Sequence, residues 1–159
     1  MHKNRVIVGR AENIDLLGLD MGVPAKIDTG AYRSAIHISD VKVIKRDGHE
    51  VLQVSLLGHP AAPVARTFET DDFAIRMVRN STGDITERYE IKLKIKLGTK
   101  LFTTPFTLIN RQNNVFPVLI GRKALANRFM VDVTVSSVDR KALLSLIQNT
   151  TSINTEDLE

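Results

Sequence analysis

The stretch Ile91-Lys92-Leu93-Lys94-Ile95-Lys96-Leu97 alternates without exception between aliphatic and cationic side chains. Successive side chains of a β-strand point to opposite faces, whereas a helix would spread these residues around its axis, so the pattern dictates a strand with one dry face and one wet face. The same reading extends along the chain. Val6-Ile7-Val8, Ile14 to Leu19 and Ala25-Lys26-Ile27 are short apolar runs. Val41 to Arg46 and Glu50 to Leu57 flank Asp47-Gly48, a dipeptide that tolerates positive φ and so marks a two-residue hairpin. Leu101 to Ile109 follows the Gly98-Thr99-Lys100 turn, and its Pro105, which donates no ladder hydrogen bond, predicts an edge position or a bulge. Val115 to Ile120 runs into Gly121 and a helix-forming stretch from Arg122 to Phe129; Val131, Val133 and Val135 alternate as a further strand; Ser137 is placed to cap a last helix through about Gln148, with Asp139 in its first turn and Leu143, Leu146 and Ile147 as its apolar residues. About eight strands, two short helices and hairpin connections predict a mainly β chain folded as a closed or partly closed antiparallel barrel.

One domain over residues 1–148 accounts for this pattern, since 159 residues with 43% hydrophobic content are enough for a single core. The polar, acidic end 149–159 has no periodic apolar face and is expected to be a flexible tail. The chain has no cysteine, which excludes disulfides and thiolate metal sites. No apolar run approaches membrane-spanning length, and Val6-Ile7-Val8 is too short for the apolar region of a signal peptide, so the expected location is cytoplasmic and away from membranes. Lys and Arg number 22 against 18 acidic residues, a net charge of +4 that is spread along the chain rather than clustered. With aromatics at 5% there are few platforms for stacking bases, so nucleic acid is not the expected partner.

The chemistry sits in Ala25-Lys26-Ile27-Asp28-Thr29-Gly30-Ala31, where an apolar strand delivers a carboxylate into a Thr-Gly turn. Gly30 permits close backbone approach, and the Thr29 hydroxyl is able to fix the loop. An isolated Asp-Thr-Gly also makes ordinary turns, with the aspartate capping local N–H groups. Here it is followed in order by Ser34-Ala35-Ile36-His37, Arg79-Asn80-Ser81-Thr82-Gly83 with Arg88, Thr107-Leu108-Ile109-Asn110-Arg111, and Phe116-Pro117-Val118-Leu119-Ile120-Gly121-Arg122, running on to Arg128-Phe129 and Val131-Asp132-Val133.

In these blocks, which span most of the chain, the sequence resembles the retropepsin-like aspartic peptidases, and more closely their bacterial branch labelled "ATP-dependent zinc protease", a ribosomal-modification-associated group. The resemblance implies Asp28 as the catalytic carboxylate; Thr29, Gly30 and Ala31 as support of its loop; Ser81, Thr82, Gly83 and Asp84 as the tip of a flap over the substrate; and Gly121, Arg122 and His37 as residues behind the catalytic loop. It also implies hydrolysis without a covalent intermediate. Two adjacent carboxylates share a proton, one activating water and the other polarising the scissile carbonyl. With one Asp-Thr-Gly and no Asp-Ser-Gly in the chain, the second carboxylate must come from a second copy, in a two-fold homodimer.

In viral relatives an acidic residue just after the motif accepts the arginine of the Ile-Gly-Arg segment. Tyr32-Arg33 stands there instead, which leaves Asp132 or backbone carbonyls for Arg122. His2, His37, His49 and His59 form no His-Glu-x-x-His pattern, so no metal is expected despite the label, and His37, in an alternating stretch, reads as structural. No phosphate-binding Gly-x-x-x-x-Gly-Lys-Ser/Thr loop occurs, so no cofactor is expected; the ATP of the label implies a functional link to an ATP-grasp ligase that adds glutamates to protein C-termini. A peptide or protein substrate with an acidic, glutamate-rich tail follows, with Arg79, Arg88 and Arg111 either contacting it or lying solvated or ion-paired at the surface. Two other readings are a catalytically inactive module that binds an extended peptide by strand addition on the same fold, and a basic nucleic-acid-binding barrel.

Overall fold

A computed structural model describes residues 4–147. Its strands are β1 (Val6–Val8), β2 (Ala11–Leu16), β3 (Asp20–Ile27), β4 (Ser34–Arg46), β5 (His49–Leu56), β6 (Arg66–Thr70), β7 (Phe73–Arg79), β8 (Ile85–Leu97), β9 (Lys100–Ile109), β10 (Val118–Ile120) and β11 (Phe129–Val131), with helices α1 (Arg122–Leu125) and α2 (Arg140–Ile147). Six strands pair in the ring β10-β3-β2-β8-β9-β4, and β10 pairs back onto β4, so the barrel is closed. Closure removes the edges that an open sheet would expose. The ring is mixed in direction, because β10 runs parallel to β3 and β4 parallel to β9, the other four pairings being antiparallel. The expected tail 149–159 lies outside the described residues. Among those residues no helix is long and apolar enough to cross a membrane.

The alternation in β8 is realised residue by residue: Ile91, Leu93, Ile95 and Leu97 are buried and the three lysines between them exposed. Those four join Ile14, Leu16, Ile36 and Phe106 in the main core. The Asp47-Gly48 hairpin forms as its residues demand, with φ of 51° and 78° at the two turn positions and Arg46 opposite His49. β5 and β6 continue the sheet outward from β4, and β7 lies on the outer half of β8, so that β7–β8 forms a long hairpin standing off the barrel.

Several sequence expectations give way to tertiary pairing. β9 is neither an edge strand nor bulged against β8; Pro105 is tolerated because the parallel ladder to β4 begins only at Phe106. The apolar run from Val115 becomes a strand only from Val118, and α1 ends at Leu125. The strand expected over Val131–Val135 stops at Val131, since it has β1 as a partner only to that point, and Val133 and Val135 are exposed. The last helix is capped by Asp139 rather than Ser137, its Oδ1 accepting from the N–H groups of Lys141 and Ala142. α2 buries Leu143 and Ile147 against Val115 and Phe116, and Leu146 is exposed.

If the β8 alternation sets the barrel wall, Ile95→Ala lowers unfolding free energy by about 2–5 kcal/mol while Lys94→Ala changes it by less than about 0.5 kcal/mol. Urea unfolding of the two variants checks this, and equal costs would refute the assignment of faces.

Candidate active site

β3 ends at Ile27, and the next residue, Asp28, is fixed to β10 by its backbone N–H, which donates to Ile120 O at 2.8 Å. β10 is inserted between β3 and β4, the two strands joined by the Asp28 loop, so the loop is clasped by a segment distant in sequence. Four further hydrogen bonds complete the clasp. The Gly121 N–H donates to Ser34 Oγ (3.0 Å), the Arg122 N–H to Ala31 O (2.8 Å), the Lys123 N–H to Tyr32 O (2.9 Å), and Arg122 Nη1 to Thr29 O (3.1 Å). Gly121 is required for this approach: a Cβ there would lie 2.7 Å from the Arg33 carbonyl group and from Tyr32 O. Arg122 therefore takes a backbone carbonyl as its partner and lies 5.9 Å from the Tyr32 ring centroid. Asp132 is occupied elsewhere, its Oδ1 accepting from the N–H and hydroxyl of Thr134, which holds its carboxyl below the usual range.

Within the loop, Asp28 Oδ1 accepts the Gly30 N–H at 2.9 Å, and the Ala31 N–H donates to Asp28 O at 3.3 Å. Thr29 joins the clasp through its carbonyl oxygen. Asp28, Gly30 and Ala31 open onto a cleft of about 700 Å³, whose other wall carries Met77 to Ser81 and Arg88 from the β7–β8 hairpin. The hairpin tip is the expected Ser81-Thr82-Gly83-Asp84, with Gly83 at φ 91° and Asn80 Oδ1 accepting the N–H groups of Thr82 and Asp84. Ser81 lines the cleft, whereas Thr82, Gly83 and Asp84 are exposed at the tip and absent from its lining. Among the described lining residues Asp28 is the one carboxylate, and Arg33, Arg79, Arg88 and Arg111 are cationic. Burial lowers the Arg88 pKa from its ordinary value.

Two features escaped the sequence reading. Glu90 is buried and bridges Arg33 (2.8 Å) to Arg76 (3.1 Å), tying the loop after Asp28 to the base of the hairpin. Its place on the same face of β8 as the exposed Lys92, Lys94 and Lys96 predicts a solvated side chain, and only the meeting with Arg33 and Arg76 buries it. His37 has a buried partner in His59, with ring centroids 5.3 Å apart. His37 Nδ1 accepts the Arg111 N–H, and His59 Nε2 meets the carbonyl oxygens of Arg111 and Asn114. Burial, then the nearby charges of His59 and Arg111, push His37 down to about 4, and burial lowers His59 too. No group of three or more His, Asp or Glu residues able to hold a metal ion occurs among the described residues.

A family model described as "RimB-like: Retropepsin-like aspartic endopeptidase RimB" matches residues 7–142. The "Probable alpha-L-glutamate ligase" of Desulfotalea psychrophila is 33% identical over 119 residues, covering 71% of this chain and 25% of that protein. The protein of the same description from Shewanella halifaxensis is 32% identical over 138 residues, covering 83% of this chain and 29% of its own length. The chain thus spans under a third of these curated relatives. A crystal structure of Lpg0085 from Legionella pneumophila, described as of unknown function (DUF785), superposes with a TM-score of 0.62 at 27% identity, covering 82% of this chain and 95% of that one.

Two outcomes follow from the geometry. Gly121→Ala forces backbone apart at the clasp and destabilises the fold by about 1–3 kcal/mol, read by urea unfolding; wild-type stability would contradict the close approach. His37 is neutral when folded and takes up a proton more readily when unfolded, so stability is lost as pH falls from 6.5 towards 4. Denaturant midpoints measured across that window test this, and His37→Gln should flatten the slope; an unchanged slope would exclude His37 as its source.

Proposed function

Because the chain belongs to the RimB-like family of retropepsin-like aspartic endopeptidases, we propose that it hydrolyses peptide bonds as a homodimer, with Asp28 of each copy forming the catalytic pair. The observation that carries this reading is the isolation of Asp28 as the one described carboxylate lining a cleft walled by a hairpin. One such group cannot both take a proton from water and give one to the scissile peptide, and a second copy related by a two-fold axis supplies its counterpart. In the pair one carboxylate is protonated and the other ionised. The ionised member takes a proton from the bound water as the oxygen attacks the carbonyl carbon, and the protonated member gives its proton to the carbonyl oxygen. Collapse of the tetrahedral diol then breaks the C–N bond, with a proton passing to the leaving nitrogen.

The substrate class we propose is an acidic, glutamate-rich peptide tail. Four arginines line the cleft with Asp28 as its one described carboxylate, and although Glu90 offsets Arg33 from behind the lining, positive charge remains in excess, which favours a polyanionic peptide. The relatives described as glutamate ligases carry a segment like this chain within longer proteins, which favours a functional link to glutamate addition.

Asp28→Asn should lower the turnover of a glutamate-extended peptide by at least about 100-fold, followed by mass spectrometry of the products. Cleavage at the wild-type rate would end the peptidase reading; tight peptide binding with no turnover by the wild type at any pH from acid to neutral would favour a binding module instead.

A further inference from the structure

The β7–β8 hairpin leaves the barrel at Glu90. From Glu90 to Leu97, β8 runs beside β9, whereas from Ile85 to Tyr89 it pairs with β7 alone. Packing does not hold this outer part: Ile75, Met77 and Ile85, which the register puts on one face, are each more than half exposed. Its hydrogen bonds from Arg79 to Gly83 O, Thr86 to Val78 O and Arg88 to Thr86 Oγ1 stay within the hairpin. A two-stranded ribbon of this kind is marginal on its own, so its pose over the cleft is set at its root.

At that root one buried carboxylate is shared by two guanidinium groups. Glu90 Oε1 accepts from Arg76 Nε at 3.1 Å, inside the hairpin, and Glu90 Oε2 accepts from Arg33 Nη1 at 2.8 Å, across to the loop that carries Asp28. The backbone around Arg33 is immobile. Its carbonyl group abuts Gly121, Tyr32 O accepts the Lys123 N–H, and Ser34 opens the ladder of β4 with β9. Arg33 is thus a strut with its foot in the clasp and its tip on the hairpin. The bond is charge-assisted, and with the Glu90 side chain 7% exposed water competes poorly for it.

We propose that Glu90 is a positioning residue, acting through Arg33 to hold the hairpin at a set distance from the Asp28 loop and so to fix the width of the cleft. The Arg33 arm carries this role, because the Arg76 arm joins two strands of the same hairpin. A glutamine at this position would have one acceptor oxygen and an NH2 group, so it would satisfy one guanidinium and turn donors towards the other. The effect on turnover rests on the peptidase reading; the effect on the hairpin does not.

The chain has no cysteine, so Glu87→Cys on the hairpin and Lys123→Cys beside the Asp28 loop, both at exposed positions, give two spin-label sites across the cleft. Double electron–electron resonance reads the distance in full chains diluted with unlabelled protein, so that only labels within one copy are measured. The parent should give one narrow distribution. Arg33→Gln and Glu90→Gln should each broaden it towards longer distances, the two together no further than either alone, while Arg76→Gln should leave it narrow. The Arg33 side chain is 29% exposed, so its variant carries the test where the Glu90 variant does not fold. Parent-like distances in Arg33→Gln overturn the proposal, even with a lowered urea midpoint, as does equal broadening by Arg76→Gln. Glu90 is not among the described lining residues of the cleft, yet Glu90→Gln should lower kcat on a glutamate-extended peptide by about 10- to 100-fold through misplacement alone. Absence of cleavage by the wild-type protein counts against the peptidase reading alone, since the distances need no substrate.

Discussion

The site depends on one topological constraint, the insertion of the three-residue β10 between the two strands that the Asp28 loop connects. A loop leaving a strand end would ordinarily be free to sample many conformations. Here every residue from Asp28 to Tyr32 except Gly30 gives a backbone group to β10 or to the start of α1, and Gly30 is held instead by the Asp28 side chain. The clasp also explains why β10 is so short. Gly121 must abut the Tyr32 and Arg33 carbonyl groups, and any side chain there would push the two segments apart. Closure of the barrel and immobilisation of the carboxylate are thus the same event: the pairing of β10 with β4 that completes the ring is the pairing that seats the loop.

Much of this was legible in the sequence because it rests on local chemistry. The strict alternation at Ile91–Leu97, the Asp47-Gly48 turn and the Asp-Thr-Gly strand end each declare themselves within a few residues, and each forms as read. What failed was set by partners remote in sequence. Val133 and Val135 carry a strand pattern, but β1 offers pairing only as far as Val131. Pro105 signals an edge, and no local rule says that the neighbouring ladder begins one residue later. At the site, Asp28 and the hairpin tip could be located from the order of motifs, whereas Glu90 and His59 could not. Their roles arise from what they meet, Glu90 from Arg33 57 residues away and His59 from Arg111 52 residues away.

Those two buried groups settle how the cleft keeps its charge. A guanidinium near an apolar interior is costly unless it is hydrogen-bonded, and a cluster of them repels itself. Glu90 answers the cost for Arg33 and Arg76 with one shared carboxylate. Around Arg111 the neighbouring histidines remain neutral, so that its carbonyl and N–H are satisfied without adding a further positive charge. The arrangement restricts the conditions under which it holds. Acid protonates the imidazoles, replaces acceptors with donors at the Arg111 N–H and the Ala61 N–H, and places like charges beside a buried guanidinium. The hydrogen bonds that hold the Arg111 backbone therefore persist on the neutral side of that titration, where both imidazoles remain acceptors at Nδ1.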